Sequence, residues 1–428
     1  MIPLSLASQK AEPAQLVRLC KPCVSGYNLN RMKADFFTGN RQKLRTITDE
    51  GLVIIAGHDA MQSRADAAYP FVQEANFYYL TGILEAGWRL VMDGTEDVLV
   101  APHRTKIQTL FDGSINFEQA KAISGIDTII DQNDFNELYT SLRRNHRIVL
   151  SIGDDPHASA HGVVLNNGPR RNYRSLRRDF EEVRDIRPAI ASLRSIKQPE
   201  EIHAMRTAID ETLRSFKNIY SQLQGYANER EISAQITFDF MRGTAEGHAY
   251  DPIVAGGANA CTLHYTDNTS PLKATTTVLI DAGASYRQYA ADITRTYAIG
   301  QPTPRQIAVH DAVEKAHYQI IDLIRPGLST KEYSEQVDEI MKNTLKSLGL
   351  LKKPSDYRRY FPHAISHGLG IDVHESLGGH GVFKPGMVLT VEPGIYIPEE
   401  GIGVRIEDDI LVTETGNENL SAALPTSL

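Results

Sequence analysis

The feature that most constrains the fold is a pair of apolar, strand-like runs within residues 390–409, each of which carries an acid. The runs contain Glu392 and Glu407, and they meet at residues 399–401, whose composition is typical of a turn. A symmetric turn places the two glutamates opposite each other on antiparallel strands, with Cβ atoms about 5 Å apart. Two buried carboxylates at this distance repel each other, and one takes up a proton unless a cation lies between them. This stretch therefore predicts a metal site.

A second hairpin with the same pattern is predicted within residues 278–294. Its first strand-like run contains Asp281, and the returning run contains Asp292. A two-residue turn centred on Tyr286 and Arg287 would place Asp281 directly opposite Asp292. Any one of these acids alone is most simply a surface residue or one half of a salt bridge. Two facing pairs on apolar strands are much less expected by chance.

The four carboxylates have too few cationic neighbours in the same motifs, because Arg295 and Arg405 are the nearest in the sequence. Two divalent metal ions would balance the charge. Histidine side chains could complete the ligand set, and three of them lie within 12 residues, shortly before Glu392. The candidate histidines are His264, His363, His367 and His374.

The length of 428 residues predicts two domains, since one domain usually takes about 100–200 residues. In residues 31–194, strand-like runs alternate with helical stretches, which predicts an α/β domain. In residues 195–428, amphipathic helices are mixed with hairpins, which predicts an α+β domain. The first helix of that part is expected to begin at Pro199, because proline favours the first helical position. Residues 1–30 are irregular and are expected to form an N-terminal extension.

Composition and charge exclude several functional classes. The net charge of −8 argues against a general nucleic-acid or anionic-membrane role, and no apolar run approaches the roughly 18 residues of a membrane span. The chain has three cysteines, Cys20, Cys23 and Cys261, too few for a disulfide framework. The start of the chain lacks the basic segment and long apolar run of a secretory signal. We therefore expect a cytoplasmic protein, in which Cys20 and Cys23 are incidental thiols.

Five of the candidate residues, in this order and within these motifs, resemble the ligands of a dinuclear-metal peptidase family with the pita-bread fold. They are Asp281, Asp292, His367, Glu392 and Glu407. The family is that of aminopeptidase P and prolidase, and the match runs from about residue 199 to residue 420. Within it the chain is most similar to aminopeptidase P, and residues 64–66 and 76–82 of the first domain also resemble that branch.

The resemblance implies an enzyme that removes the N-terminal residue from peptides with proline at position 2. It implies two divalent metal ions as cofactors, with a hydroxide between them that attacks the scissile carbonyl. Asp281 and Glu407 would span the two ions. A ligand set rich in oxygen with one imidazole suits Mn(II), and Co, Fe or Zn could substitute. The family also implies a homo-oligomer, either a dimer or a tetramer.

The resemblance also implies roles for residues around the metal ions. Glu392 would act both as a ligand and as the relay that carries a proton to the leaving nitrogen. His264 and His374 match residues that bind the substrate and steady the oxyanion. Tyr250 is expected near the free amine of the substrate. Three further residues match positions beside the ligands or the substrate: His363, Tyr396 and Arg405.

Two departures from aminopeptidase P bear on the length of the substrate. Residues 374–385 form a shorter segment that lacks the expected tyrosine and arginine, and no tryptophan lies near residues 109–111, where aminopeptidase P can offer one to a neighbouring subunit. A prolidase, restricted to Xaa-Pro dipeptides, is therefore the main alternative. A metal-free creatinase-like hydrolase and a non-catalytic binding module are others. Both would be expected to have lost ligands, and none is lost here.

Overall fold

The computed structural model describes residues 32–154, 162–272 and 275–428. The predicted extension at residues 1–30, with Cys20 and Cys23, lies outside them. The strands of the first half are β1 (Val53–Ala56), β2 (Gln62–Arg64), β3 (Ala67–Ala68), β4 (Arg89–Asp93), β5 (Glu96–Ala101), β6 (Thr128–Asp131), β7 (Ile148–Ser151) and β8 (Glu182–Asp185). Six of them form a mixed sheet of order β6-β5-β4-β1-β7-β8, and β2 pairs with β3 in a separate hairpin.

Helices cover both faces of this sheet. They are α1 (Ala34–Thr48), α2 (Ala75–Thr81), α3 (Lys106–Asp112), α4 (Phe117–Ser124), α5 (Phe135–Asn145), α6 (Asn167–Asp179) and α7 (Arg187–Ser195). Successive side chains of a strand point to opposite faces, so Val53 and Ile55 pack into one core layer with Phe37 of α1. Ile54 packs into the other layer with Leu176 of α6. The predicted α/β class of the first half is confirmed.

The second half combines long helices with short antiparallel strands, as predicted for an α+β domain. The helices are α8 (Pro199–Gln222), α9 (Glu229–Arg242), α10 (Pro304–Ile321), α11 (Thr330–Ser347) and α12 (Asp356–Tyr360). The strands are β9 (Gly247–His248), β10 (Ile253–Gly256), β11 (Thr275–Ala282), β12 (Ala284–Tyr286), β13 (Tyr289–Ala290), β14 (Ile293–Gly300), β15 (Val388–Val391), β16 (Gly394–Ile397), β17 (Ile402–Arg405), β18 (Asp408–Val412) and β19 (Asn417–Asn419). Helix α8 begins at Pro199 as predicted.

The predicted register of the Glu392 and Glu407 hairpin is confirmed. Strand β16 pairs with β17, with Gly394 opposite Arg405. Strand β15 pairs with β18 in the same register, with Val391 opposite Asp408. Glu392 and Glu407 lie between these two paired segments, and the register of both places them opposite each other.

The predicted register of the Asp281 hairpin is wrong by two residues. Asp281 lies opposite Thr294 on β14, and Tyr286 lies opposite Tyr289 on the short β12–β13 pair. The turn therefore consists of Arg287 and Gln288, whose φ angles of 52° and 68° place both in the left-handed region. Two consecutive residues with positive φ make a type I′ turn, whose twist matches that of antiparallel strands. Neither residue is the glycine that usually marks such a turn, so the sequence did not reveal it.

The residues from Met32 to Leu428 group into one compact unit, and the domain boundary at residue 194 remains a prediction. Core residues of helix α1, which packs on the first sheet, and of helix α8 belong to the same apolar cluster, for example Phe37 and Phe216. A second cluster joins α10 and α11 to the strands that carry the candidate glutamates, for example through Val313 and Val391. Among the described residues, no helix is both long and apolar enough to cross a membrane.

Candidate metal centre

The two hairpins meet at one buried site, where they bring the predicted acids together. Thr294, the residue opposite Asp281, forms an isolated bridge with Glu407 of the other hairpin. The Glu407 amide donates to the Thr294 carbonyl (3.0 Å), and the Thr294 hydroxyl donates to Glu407 Oε2 (2.6 Å). The bridge between the hairpins thus orients Glu407. It does so through Thr294, which lies two residues after Asp292, another candidate ligand.

His367 reaches this site from a loop rather than from a strand. The His367 amide donates to the Thr390 hydroxyl (3.2 Å), and the Thr390 amide donates to the His367 carbonyl (3.0 Å). The imidazole Nε2 lies 3.5 Å from Asp292 Oδ2 and 3.4 Å from Glu392 Oε1. Ligand atoms of Asp292, His367 and Glu407 all lie within 4.8 Å of one another, a spacing that suits a shared cation.

The tautomer of His367 supports a cation at this point. Its Nδ1 lies 3.0 Å from the Gly368 carbonyl, to which it donates. Nε2 therefore presents a lone pair to the carboxylates of Asp292 and Glu392, an arrangement that a positive ion would relieve. Burial lowers the pKa of His367 to about 4, which favours the neutral imidazole that a metal requires.

Negative charge exceeds positive charge at the site. Asp281 and Asp292 are only 6% and 5% exposed, and Glu407 is 2% exposed. The Arg405 guanidinium binds Asp281 and lies 3.9 Å from Glu407 Oε2. The other nearby arginine, Arg295, is used elsewhere, since it donates to Asp408 Oδ1 (2.6 Å).

Three of the carboxyl groups at the site have raised pKa values. Burial and the Asp281 carboxylate raise the pKa of Asp292 well above its usual value. Burial and the Asp292 carboxylate do the same to the pKa of Glu407. Burial raises the pKa of Glu392 to about 8, although the Arg405 charge opposes the shift. Divalent cations between these oxygens would remove the need for the protons, so the donor set fits the metal ions that the sequence predicts.

Tyr250 joins the two aspartates. Its hydroxyl oxygen lies 2.5 Å from Asp281 Oδ1 and 2.6 Å from Asp292 Oδ1. One hydroxyl carries one proton and can donate to one carboxylate at a time. The second close contact therefore needs a proton on one of the carboxyl groups or a cation.

Asp409 belongs to the site although sequence reasoning missed it. It is 0% exposed, and its Oδ2 accepts from the Asp292 amide (3.1 Å). Its Oδ1 has no hydrogen-bond partner among the described residues, and burial raises the pKa of the carboxyl well above its usual value. The signal was available, because Asp409 follows Glu407 by two residues and so shares its strand face.

A chain of polar contacts links Arg405 to the outer part of the site. Arg405 Nη1 donates to the Tyr396 hydroxyl (2.9 Å), and that hydroxyl lies 3.0 Å from His363 Nε2. His363 Nδ1 lies 3.4 Å from Glu392 Oε2. Burial and the Arg405 charge lower the pKa of His363 to about 3, which keeps this imidazole neutral. The three residues predicted beside the ligands thus form one connected group.

The two histidines predicted to contact the substrate, His264 and His374, are both exposed. The His374 ring packs edge-on against His367, with the ring centroids 4.5 Å apart. His264 lies close enough to His363 to contribute to the lowering of its pKa, after burial and the Arg405 charge. The structure therefore places every predicted site residue in one region, with imidazoles on its open side and carboxylates beneath.

Comparison with known proteins assigns this architecture to a family. The model of metallopeptidase family M24 matches residues 203–414, and that of the aminopeptidase P N-terminal domain matches residues 37–150. A Xaa-Pro aminopeptidase of Haemophilus influenzae is 34% identical over 389 residues, which are 85% of this chain and 88% of the relative.

Two solved structures of Escherichia coli aminopeptidase P are similar along almost the whole chain. The first, with the inhibitor Pro-Leu, has a TM-score of 0.80 at 30% identity and covers 93% of this chain and 97% of its own. The second, a Zn-substituted form in complex with product, has a TM-score of 0.79 at 31% identity, with the same shares covered. The chain belongs to metallopeptidase family M24 and carries the N-terminal domain of aminopeptidase P; it is a metal-dependent peptidase.

Proposed function

We propose that this peptidase is a Xaa-Pro aminopeptidase, which releases the first residue of peptides with proline second. The observation that carries the proposal is the convergence of four carboxylates and the His367 lone pair at one site, where Arg405 contacts two of the carboxylates. The similarity to proteins named for Xaa-Pro cleavage supports the specificity.

Two divalent metal ions are the proposed cofactors, with Mn(II) as the first choice and Co, Fe or Zn as substitutes. Their ligands would be Asp281, Asp292, His367, Glu392 and Glu407. When bound, such ions supply Lewis acidity, which polarises the scissile carbonyl and lowers the pKa of the attacking water. The zinc-substituted relative supports a site that accepts more than one divalent ion.

Glu392 is the residue that we assign to proton transfer. When a peptide bond is hydrolysed, the departing nitrogen must receive a proton to leave as an amine, and at an Xaa-Pro bond this nitrogen belongs to the proline ring. Glu392 Oε2 faces the outer side of the site, 3.4 Å from His363 Nδ1. It can accept a proton from water and return it to that nitrogen. The neutral His363 adds no positive charge beside this carboxylate.

His264 and His374 would hold the substrate. Both are exposed on the open side of the site, where their N–H groups can donate to the carbonyl oxygens on either side of the scissile bond. Beneath them, Arg405 donates to the hydroxyls of Thr294 (3.2 Å) and Tyr396 (2.9 Å). Those bonds keep the guanidinium, and through it Asp281, in place during turnover.

We further propose that the enzyme is a cytoplasmic homo-oligomer. Helix α3 supports self-association, because none of its residues is buried. Three apolar side chains on it are strongly exposed: Ile107 (68%), Leu110 (82%) and Phe111 (82%). Exposed apolar patches of this kind mark interaction surfaces.

A direct assay separates the proposed activity from its main alternative. Purified protein loaded with Mn(II) is incubated with the tripeptide Arg-Pro-Pro and with an Xaa-Pro dipeptide. We expect release of free arginine from the tripeptide and its loss with a chelator. Cleavage of the dipeptide alone would identify a prolidase. Absence of turnover on both substrates with Mn, Co or Zn would refute an enzymatic role of this specificity.

A further inference from the structure

A buried ion cluster lies beside the candidate centre but contains none of its proposed ligands. Arg194, Lys197 and Glu375 have side chains that are only 7%, 1% and 4% exposed. Lys197 Nζ lies 3.0 Å from Glu375 Oε2, and the Arg194 guanidinium binds Glu375 Oε1. Burying three charges is costly unless they are paired with good geometry, and here one buried carboxylate pairs with both cations.

Glu375 organises the loop that carries both site histidines. Its amide and carbonyl exchange two hydrogen bonds with Gly368, of 2.8 and 3.1 Å. Its carboxylate Oε1 also accepts from the Ile371 amide (2.9 Å). Gly368 directly follows His367, and Glu375 directly follows His374. The two backbone bonds therefore tie the positions of the two rings to each other.

The close fit of the loop around this carboxylate leaves no room for another side chain. A Cβ added at Gly370 would lie 2.6 Å from the Glu375 carboxylate. The loop therefore wraps the carboxylate closely, and the cations that fix the carboxylate also fix the loop.

The cations come from another part of the chain. Arg194 lies in α7 and Lys197 lies in the short connection to α8. Arg194 Nη1 also donates to Asn76 Oδ1 (2.8 Å), and Asn76 donates in turn to Glu74, whose side chain caps α2. The cluster thus connects the first half of the protein to the histidine loop.

We propose that Arg194, Lys197 and Glu375 are positioning residues that set the place of His374 relative to His367. Through this cluster the first half of the chain helps to align the substrate-binding histidine, although the first half supplies no proposed metal ligand. The inference rests on the proposed function, because His374 is assigned to the substrate. It concerns alignment of the substrate and not metal binding.

Three variants test the cluster: Lys197→Met, Glu375→Gln and the double variant. Both single variants disturb the charge balance of a buried site and are expected to lower Tm. The double variant removes one charge of each sign, so it should regain much of that Tm. If the cluster positions His374, the double variant should nevertheless retain an elevated KM for Arg-Pro-Pro, about 10-fold above wild type, with kcat changed by less than about 3-fold.

Arg206→Met serves as the matched control. Arg206 also ties α8 to a distant segment, through a bidentate contact with Glu418 of 2.8 and 2.7 Å. That pair is 40% and 45% exposed, and within the described part of the chain its ion pair includes no site residue. This variant should leave KM unchanged. A KM that returns to the wild-type value in the double variant together with Tm would show that the cluster only stabilises the fold, and would overturn the proposal.

Hydrogen exchange gives a readout that does not depend on turnover. Peptides covering residues 368–378 should exchange faster in the Lys197 and Glu375 variants, including the double variant, and not in Arg206→Met. Unchanged exchange in this loop would refute the positioning role. Wild-type protein without activity on Arg-Pro-Pro would refute the proposed function, while the exchange data would still decide whether the cluster holds the loop.

Discussion

The two hairpins that supply the candidate carboxylates reverse direction in different ways. The hairpin of Glu392 and Glu407 turns through four residues, 398–401, of which only Gly401 has a positive φ (63°). The hairpin of Asp281 and Asp292 turns through two residues, Arg287 and Gln288, which both have a positive φ. Glu392 and Glu407 are therefore opposed across their strands, whereas Asp281 is opposed to Thr294.

The difference shows that the site depends on strand face more than on exact pairing. A shift of two residues keeps a side chain on the same face of a sheet, whereas a shift of one sends it to the other face. Asp281 and Asp292 therefore still converge, and Tyr250 contacts both. The offset also has a use, since it places Thr294 where its hydroxyl can reach Glu407 of the other hairpin.

The largest expected effect follows from removing Glu407, which lies on one hairpin and is hydrogen-bonded by the other. Glu407→Ala deletes a carboxylate that accepts from the Thr294 hydroxyl of the Asp281 hairpin and lies near Arg405 of its own hairpin. We expect the metal content to fall, as measured by elemental analysis, and kcat/KM to drop by more than about 100-fold. Folding should be retained, because the change removes negative charge from an overcrowded site.

Glu400→Ala is the control for this experiment. Glu400 lies in the turn of the same hairpin and contacts Arg305 on the surface. Its removal should leave metal content and activity within about 2-fold, because exposed ion pairs contribute little. Full metal content in Glu407→Ala would contradict the proposed ligand role.

A smaller effect should follow from breaking the link between the hairpins. Thr294→Val keeps the shape of the side chain but removes the hydroxyl that donates to Glu407 and accepts from Arg405. We expect metal affinity to fall about 10- to 100-fold, as for other groups that orient ligands. Titration of metal into protein that has been stripped of metal with a chelator measures this affinity.

The same replacement at a threonine on the neighbouring strand is the control. Thr277 lies on β11, and its buried hydroxyl has no hydrogen-bond partner among the described residues. Thr277→Val should therefore leave metal affinity unchanged. Equal losses in both variants would mean that the hydroxyl bridge between the hairpins is unimportant.

The smallest effect concerns the tight turn. A non-glycine residue in the left-handed region costs roughly 1–2 kcal/mol, and Asn-Gly is the favoured type I′ pair. Changing Arg287→Asn with Gln288→Gly should raise the free energy of unfolding by about 0.5–1 kcal/mol, measured by urea denaturation. Glu400→Gly, in the other turn, should not stabilise, because its φ is not positive. A loss of stability on the Asn-Gly change would refute the type I′ assignment.

Much of the fold could be predicted from local patterns. The alternation of apolar runs with helical stretches identified the α/β and α+β halves, and Pro199 marked the start of α8. The acidic pattern and the histidine cluster brought out the candidate ligands. Sequence reasoning failed at Arg287 and Gln288, because their types do not favour positive φ and the surrounding strands impose it.

What the sequence by itself determined is which side chains share a strand face, because that depends on the two-residue period of the backbone. That period alone predicts that Glu392 and Glu407 share one face, and that Asp281 and Asp292 share one face. Only the tertiary structure decided how charges are shared among distant segments. In the folded protein Arg295 pairs with Asp408, and Arg405 pairs with Asp281. Asp409 accepts from the Asp292 amide. Glu375 pairs with both Arg194 and Lys197. These ion pairs depend on which buried charges come within a few ångströms of each other, and only the packing of distant segments determines those distances.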